Sequence, residues 1–89
     1  MIRKEITIVN KLGLHARAAA KFVTLAASFG STIQVARAER TVNGKSIMGV
    51  MMLAAAKGAR LELIIDGKDE AQAMHKLEQL VCNRFGESE

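Results

Sequence analysis

The sequence has 89 residues, with 13 Lys and Arg against 9 Asp and Glu, which gives a formal charge of +4. This length predicts one small domain, residues 1–89, with no space for a separate cofactor domain. Because 49% of the residues are hydrophobic and 25% are charged, the composition is that of a globular protein and excludes a disordered or collagen-like chain.

The sequence shows none of the patterns that are typical of membrane-inserted, secreted or disulfide-bonded proteins. The longest apolar stretch, Ile47 to Ala56, has ten residues, about half of a bilayer span, so we expect no membrane insertion. The N-terminal residues lack the apolar region of a secretory signal, which predicts a cytoplasmic protein. Cys82 is the only cysteine, so we expect neither a disulfide nor a zinc site, and we expect its thiol to be buried on a helix.

The first predicted elements are a strand and an amphipathic helix. From Arg3 to Val9 polar and apolar side chains alternate, as in a half-buried strand. After a break at residues 10–13, apolar residues recur at helical spacing from Ala16 to Ala27, and Gly30 is predicted to end the helix. The predicted buried stripe of this helix comprises Ala16, Ala19, Ala20, Val23 and Ala27.

The middle of the chain predicts two strands and a short helix. Ser31 to Ala38 and Arg40 to Val42 are β-prone, and the turn dipeptide Asn43-Gly44 follows them. Ser46 is predicted to cap a helix that runs from Ile47 to Leu53, because a hydroxyl can accept a bond from a free N–H of the first turn.

The last elements are a fourth strand and a third helix. Leu61, Leu63 and Ile65 alternate with more polar residues, and apolar residues at helical spacing from Ala73 to Phe85 predict a helix with an exposed His75. The order is therefore β-α-β-β-α-β-α. So short a chain predicts an α+β fold with two layers, in which three helices cover one face of a four-stranded sheet.

His15 is the strongest candidate for chemistry. It lies between the turn at Gly13 and the first helix, where free backbone N–H groups can bind an anion. An imidazole is a nucleophile near neutral pH, so the position suits a phosphoryl group carried on the ring. A histidine that only caps the helix accounts for these residues equally well.

Arg17 favours the chemical interpretation. A cation in the first turn opposes the helix dipole, which favours Asp or Glu there. A guanidinium group can nevertheless hold phosphate oxygens, so this mismatch with helix chemistry indicates a functional role.

Two segments carry a resemblance to a known family. Gly-Leu-His-Ala-Arg (residues 13–17) and Val-Asn-Gly-Lys-Ser-Ile-Met-Gly-Val-Met (residues 42–51) closely resemble the HPr family of histidine phosphocarriers, and the likeness extends over essentially the whole chain. The resemblance implies that His15 accepts a phosphoryl group from enzyme I at Nδ1, with Arg17 beside it, and passes the group to an EIIA-type domain. It implies a carrier that is not an enzyme and that needs no cofactor or metal.

The same resemblance implies a sheet of strand order 1-4-2-3 in an open-faced sandwich. Ser46 matches the family's regulatory site for an HPr kinase/phosphorylase, although a plain helix cap needs the same hydroxyl. Ala18 stands where the family usually has Pro. Since Ala is also compatible with a helix start, we expect carrier chemistry to persist with a slightly less rigid loop around His15.

A docking surface is predicted on the first two helices. Four large apolar residues exceed what the short second helix must bury, so we expect that set, Ile47, Met48, Met51 and Met52, to be divided between core and surface. The docking residues are predicted to be Ala16, Ala20, Lys21, Ile47, Met48 and Met51. Arg17, Lys21 and Lys45 would offer positive charge to an acidic partner, and we expect the protein to be a monomer.

Two other classes of protein fit part of the sequence. An RNA-recognition domain shares the order β-α-β-β-α-β but stacks bases on strand aromatics, which are missing here, so we expect no nucleic-acid partner. A regulatory module, or a nitrogen-type phosphorelay with little role in sugar transport, retains the motifs around His15 and Ser46. The sequence leaves this last alternative open.

Overall fold

The computed structural model describes residues 1–89 and contains four strands, three α-helices and a final 3₁₀ turn. In chain order these are β1 (Ile2–Thr7), α1 (Ala16–Ala27), β2 (Thr32–Arg37), β3 (Arg40–Asn43), α2 (Ile47–Met52), β4 (Arg60–Asp66), α3 (Glu70–Cys82) and the turn Arg84–Gly86. No helix combines the length and the apolar character that crossing a bilayer requires.

The strands form one antiparallel sheet of order β1-β4-β2-β3, which confirms the predicted fold class and strand order. In the central strand β4, Leu61, Leu63 and Ile65 are buried. Ile6 of β1 lies opposite Leu61, and Val35 of β2 lies opposite Leu63. Because side chains of paired residues share a face, these positions build one apolar face of the sheet.

The helices contribute their apolar side chains to the same core. Its centre is lined by residues from the sheet, from α1, α2 and α3, from the loop before α1 and from the C-terminal turn: Ile6, Ile8, Leu14, Phe22, Val35, Val50, Leu61, Val81 and Phe85. Residues from both ends of the chain thus meet beneath the loop that carries His15.

The predicted buried stripe of α1 is wrong in its orientation. The buried residues are Ala18, Ala19, Phe22 and Ala26. Of the predicted stripe only Ala19 is buried, while Ala16 and Ala27 are exposed. Alanine occurs on every face of this helix, so the spacing of small residues does not define the core side, and the much larger apolar area of Phe22 decides it.

Three local predictions also need correction. Helix α1 ends at Ala27 with Ser28 as its cap, and Gly30 has no left-handed backbone; its N–H instead donates to Asp69 over 2.9 Å. Helix α3 begins at Glu70 and ends at Cys82, whose side chain is exposed rather than buried. Phe85 lies beyond the helix in a turn with positive φ, although its ring reaches the core.

Candidate functional site

The loop before α1 is seated closely on the segment after α2. The Leu14 N–H donates to the Ala55 carbonyl over 2.9 Å. Gly13 has φ +68°, and a Cβ there would lie 2.5 Å from the Ala55 oxygen. A side chain at this position is therefore excluded both by backbone conformation and by space, so Gly13 fixes the path of the chain into His15.

His15 occupies the N-cap position of α1, with extended backbone (φ −71°, ψ 176°) and a carbonyl that accepts from the Ala19 N–H over 2.8 Å. Its side chain makes no capping hydrogen bond and remains 29% exposed. The simple capping explanation of His15 is therefore wrong, because the ring is not used to satisfy the helix.

The start of α1 leaves backbone donors free. The N–H groups of Ala16, Arg17 and Ala18 have no backbone partner, and the first turn contains no acidic residue. Arg17 is exposed and forms neither a hydrogen bond nor an ion pair. An unpaired guanidinium thus lies in the first turn of α1, two residues after His15, available to a negatively charged group.

The imidazole contacts a carboxylate that the sequence analysis did not identify. Nε2 of His15 hydrogen bonds to Oε2 of Glu87, and Nδ1 has no partner. The other oxygen of Glu87 accepts from the Asn10 amide over 3.0 Å. Asn10 is fully buried and also donates to the Gly13 carbonyl over 2.8 Å. The hydrogen bond from Asn10, followed by the contact with His15, lowers the pKa of Glu87 below its ordinary value.

A C-terminal strap, residues 83–89, brings Glu87 to this place. The buried Phe85 anchors the strap, and its carbonyl accepts from Nζ of Lys21 over 2.7 Å. The Lys11 N–H donates to the main-chain oxygen of Glu89 over 2.6 Å, and Nζ of Lys11 lies 3.3 Å from the side-chain carboxylate of Glu89. The strap is thus held on both sides of Glu87.

Ser46 caps α2, as the sequence predicted. Its Oγ accepts from the Gly49 N–H over 3.1 Å, and its backbone is extended (φ −110°, ψ 116°). The hydroxyl is therefore already used by the helix, and any charge added to it would lie at the start of α2.

The apolar patch on α2 is more exposed than expected. Its members, Ile47, Met48, Met51 and Met52, are all exposed, between 40% and 69%. The expected division between core and surface is therefore wrong, because Val50 is the residue of α2 that reaches the core. A helix this short presents one residue inward, and the neighbouring Leu53 supplies the next buried side chain.

Two arginines of the β2–β3 hairpin hold the end of α2. Nη1 of Arg37 donates to the carbonyls of Leu53 and Ala54 over 2.7 and 3.2 Å. Nη1 of Arg40 donates to the Met52 carbonyl over 2.9 Å. These bonds satisfy carbonyl groups that the end of a helix leaves without partners.

The structure brings some of the predicted docking residues together and reassigns others. Arg17, Ala20 and Lys21 line one shallow open depression on α1, and Ala16 is exposed at the helix start. Helix α1 also packs against α2, which carries the apolar patch. Of the three predicted free cations only Arg17 is unpaired, since Lys21 bonds the Phe85 carbonyl and Lys45 bonds the Phe29 carbonyl over 2.7 Å.

No group of three or more His, Cys, Asp or Glu side chains is placed to hold a metal ion.

The fold is an open-faced sandwich, and the histidine at the start of its first helix has one ring nitrogen without a partner. A family model described as "PTS HPr component phosphorylation site" matches residues 2–83. The chain belongs to the HPr family.

Individual relatives agree with this assignment over their full length. The chain is 55% identical to phosphocarrier protein HPr of Neisseria meningitidis serogroup A over 89 residues, 100% of both chains. The solved HPr-C-His of Thermoanaerobacter tengcongensis matches with TM-score 0.96 and 44% identity, again over 100% of both chains. An HPr dimer from the same organism matches with TM-score 0.79 and 45% identity over 98% of this chain and 100% of the other. The monomeric state therefore stays a prediction.

Proposed function

We propose that this protein is a phosphocarrier of the phosphoenolpyruvate-dependent phosphotransferase system. His15 accepts a phosphoryl group at Nδ1 from enzyme I and passes it to an EIIA-type domain. The protein acts as acceptor and donor in turn, without catalysing a reaction on a small substrate of its own.

One observation carries the proposal: the His15 ring is engaged at Nε2 by Glu87 while Nδ1 has no partner. Nδ1 is then the ring atom with an available lone pair. The free N–H groups of α1 and the unpaired Arg17 can stabilise the negative charge of the incoming phosphoryl group. Membership of a family whose model is described as a phosphorylation site of the phosphotransferase system supports a carrier function for this chain.

The test is incubation of the purified protein with phosphoenolpyruvate and a general enzyme I. We expect one phosphoryl group per chain, labile in acid and stable in base, as a phosphohistidine is. An acid-stable label, or no label, would contradict the proposal. Subsequent loss of the label to an added EIIA-type domain tests the donor half of the cycle.

Replacing Arg17 with Ala should slow phosphoryl transfer without unfolding the domain. The guanidinium has no partner in the resting protein, so its loss should change the free energy of unfolding by less than about 0.5 kcal/mol. A cation that stabilises the transferring group should affect the rate by about 10- to 100-fold, measured as kcat/KM with enzyme I. Lys76→Ala removes one charge from the exposed side of α3 and serves as control; equal losses in both variants would indicate a general charge effect.

We propose further that Ser46 is a regulatory phosphorylation site for an HPr kinase/phosphorylase. Its hydroxyl lies at the start of α2, next to the exposed Ile47 and Met48. A phosphate there adds about −1.5 to −2 charge at the edge of the proposed docking surface. It would repel an acidic partner while the helix start stabilises the phosphate, so docking should weaken and the fold should persist.

Ser46→Asp should imitate part of this effect. We expect the apparent KM for the carrier in the enzyme I reaction to rise about fivefold, which corresponds to about 1 kcal/mol from one charge at an interface rim. The kcat should be unchanged, because the imidazole is untouched. Ser46→Ala should have the wild-type KM although it loses the cap; identical kinetics in all three proteins would reduce Ser46 to a helix cap.

A second candidate function is a regulatory role of the carrier in place of a role in sugar transport. Ala18 and the sequence context of Ser46 resemble carriers with a regulatory, nitrogen-type role. In that function the state of Ser46 controls binding to other proteins, with little sugar transport. Partner binding that depends on Ser46 and persists in a protein unable to transfer phosphoryl groups would support it.

A further inference from the structure

The contact between Glu87 and His15 is a built arrangement rather than a chance meeting of two surface groups. Asn10 has no exposed surface, and its amide donates both to the Gly13 carbonyl and to Glu87. Both partners are acceptors, so the amide must direct its NH₂ group toward them. Its own oxygen is left buried without a partner, an unfavourable state that the two bonds offset.

The strap restrains Glu87 on both sides. Before it, the Glu87 N–H donates to the Arg84 carbonyl over 2.9 Å, and Phe85 is buried in the core. After it, the Lys11 N–H donates to the main-chain oxygen of Glu89, a bond that does not involve the Glu89 side chain. The carboxylate therefore has a defined position against the ring.

This geometry determines which ring nitrogen carries the hydrogen. An ionised carboxylate only accepts hydrogen bonds, and a neutral imidazole has one N–H donor and one acceptor nitrogen. In the neutral ring, a hydrogen bond to Glu87 at Nε2 requires the hydrogen on Nε2 and leaves the lone pair on Nδ1. The hydrogen bond from Asn10 favours the ionised form of Glu87 and so maintains this tautomer.

We propose that Glu87 is a positioning residue for phosphoryl transfer, which holds His15 as the Nε2–H tautomer and offsets the charge that the ring gains at Nδ1. This inference rests on the function proposed above and names a residue from the opposite end of the chain as part of the same site.

Phosphoryl transfer to Nδ1 of His15 and from it needs no added proton donor. The Nδ1 lone pair forms the bond to phosphorus while the bond to the donor breaks, and the departing donor atom keeps that electron pair. The ring, still protonated at Nε2, becomes cationic beside the Glu87 carboxylate. When the group passes on, the pair of the Nδ1–phosphorus bond returns to Nδ1, and the Nε2 hydrogen stays in place throughout. The same carboxylate thus acts in both directions.

The experiment compares Glu87→Ala with Glu89→Ala in the full chain. Both variants remove one carboxylate from the strap, but the Glu89 side chain forms an exposed ion pair with Lys11 and does not touch the imidazole. The main-chain bond between Lys11 and Glu89 is kept in Glu89→Ala. The first measurement is the ¹⁵N-edited proton spectrum of the His15 ring. We expect a hydrogen-bonded Nε2–H resonance in the wild type and in Glu89→Ala, and its loss in Glu87→Ala.

The second measurement is phosphoryl transfer from enzyme I. We expect kcat to fall about tenfold or more in Glu87→Ala, because the ring loses the group that orients it, with KM unchanged because the docking surface is intact. Glu89→Ala should transfer at the wild-type rate. A purely structural role would lower the melting temperature without this separation of kcat from KM.

Different results would overturn the proposed carrier function and the proposed role of Glu87. Wild-type protein that accepts no phosphoryl group would overturn the carrier function and, with it, the role of Glu87 in transfer. Normal transfer by the wild type together with an unchanged kcat in Glu87→Ala, or an unchanged ring N–H resonance, would overturn the role of Glu87 alone.

Discussion

Replacing His15 with Ala should abolish acid-labile phosphorylation by phosphoenolpyruvate and enzyme I while the domain stays folded. The imidazole supplies the accepting nitrogen, and Ala has no atom that can replace it. The ring makes no capping bond and is 29% exposed, so its removal leaves the helix start and the core unchanged. Intact mass and circular dichroism measured on the same sample would check both halves of this result.

His75 offers a matched control for this experiment. It is the other histidine of the chain, exposed on α3 and remote in sequence from the proposed site. His75→Ala should accept one phosphoryl group at the wild-type rate. If His15→Ala still carried acid-labile phosphate, the accepting atom would lie elsewhere in the protein.

Phe85→Ala should produce the largest loss of stability among these variants. The ring is 1% exposed and lies at the centre of the core with Leu14 and Phe22. Truncation of a buried Phe to Ala typically lowers the free energy of unfolding by about 3–5 kcal/mol, a large part of what a small domain has. Urea denaturation followed by circular dichroism measures this change.

The same substitution should also disturb the proposed site, because Phe85 anchors the strap that positions Glu87. We expect the His15 Nε2–H resonance to weaken in Phe85→Ala. Phe29→Ala provides the comparison: Phe29 is also buried, at 8% exposure, but it follows α1 at the end away from His15. A similar effect of both variants on the ring resonance would show that global destabilisation, and not the strap, is responsible.

The sheet could be predicted from the sequence because its signal is local and has a period of two. The alternation through Leu61, Leu63 and Ile65 defines both the strand and the side that is buried. In α1 the period was also correct, but the direction was wrong. Alanines surround that helix, so its orientation depends on where Phe22 finds space in the completed core.

Part of the proposed site could also be predicted. His15, Arg17 and Ser46 occur near helix starts, where the chemistry of free N–H groups follows from sequence position alone. Glu87 could not, because it is separated from His15 by 72 residues and its place depends on the positive φ of Arg84 and Phe85. These residue types rarely adopt that conformation, so no turn signal precedes the strap.

The engagement of Lys21 and Lys45 by backbone carbonyls was equally inaccessible to sequence analysis. Both lysines appear as free surface charges in the sequence, yet each ammonium group is directed to a carbonyl of another segment. Arg17 is therefore the cation of the three that an approaching partner meets without first breaking an intramolecular bond.

The arginine bonds to the end of α2 have a consequence for recognition. Arg37 and Arg40 hold the carbonyls of Met52, Leu53 and Ala54, so the main chain beneath the apolar patch is ordered before any contact is made. A protein that covers this patch would restrict mainly the torsions of the methionine side chains. Association should then show a negative heat-capacity change from apolar burial, with a small entropic penalty for backbone ordering. Differently shaped surfaces would be accommodated by new methionine rotamers on an unchanged helix.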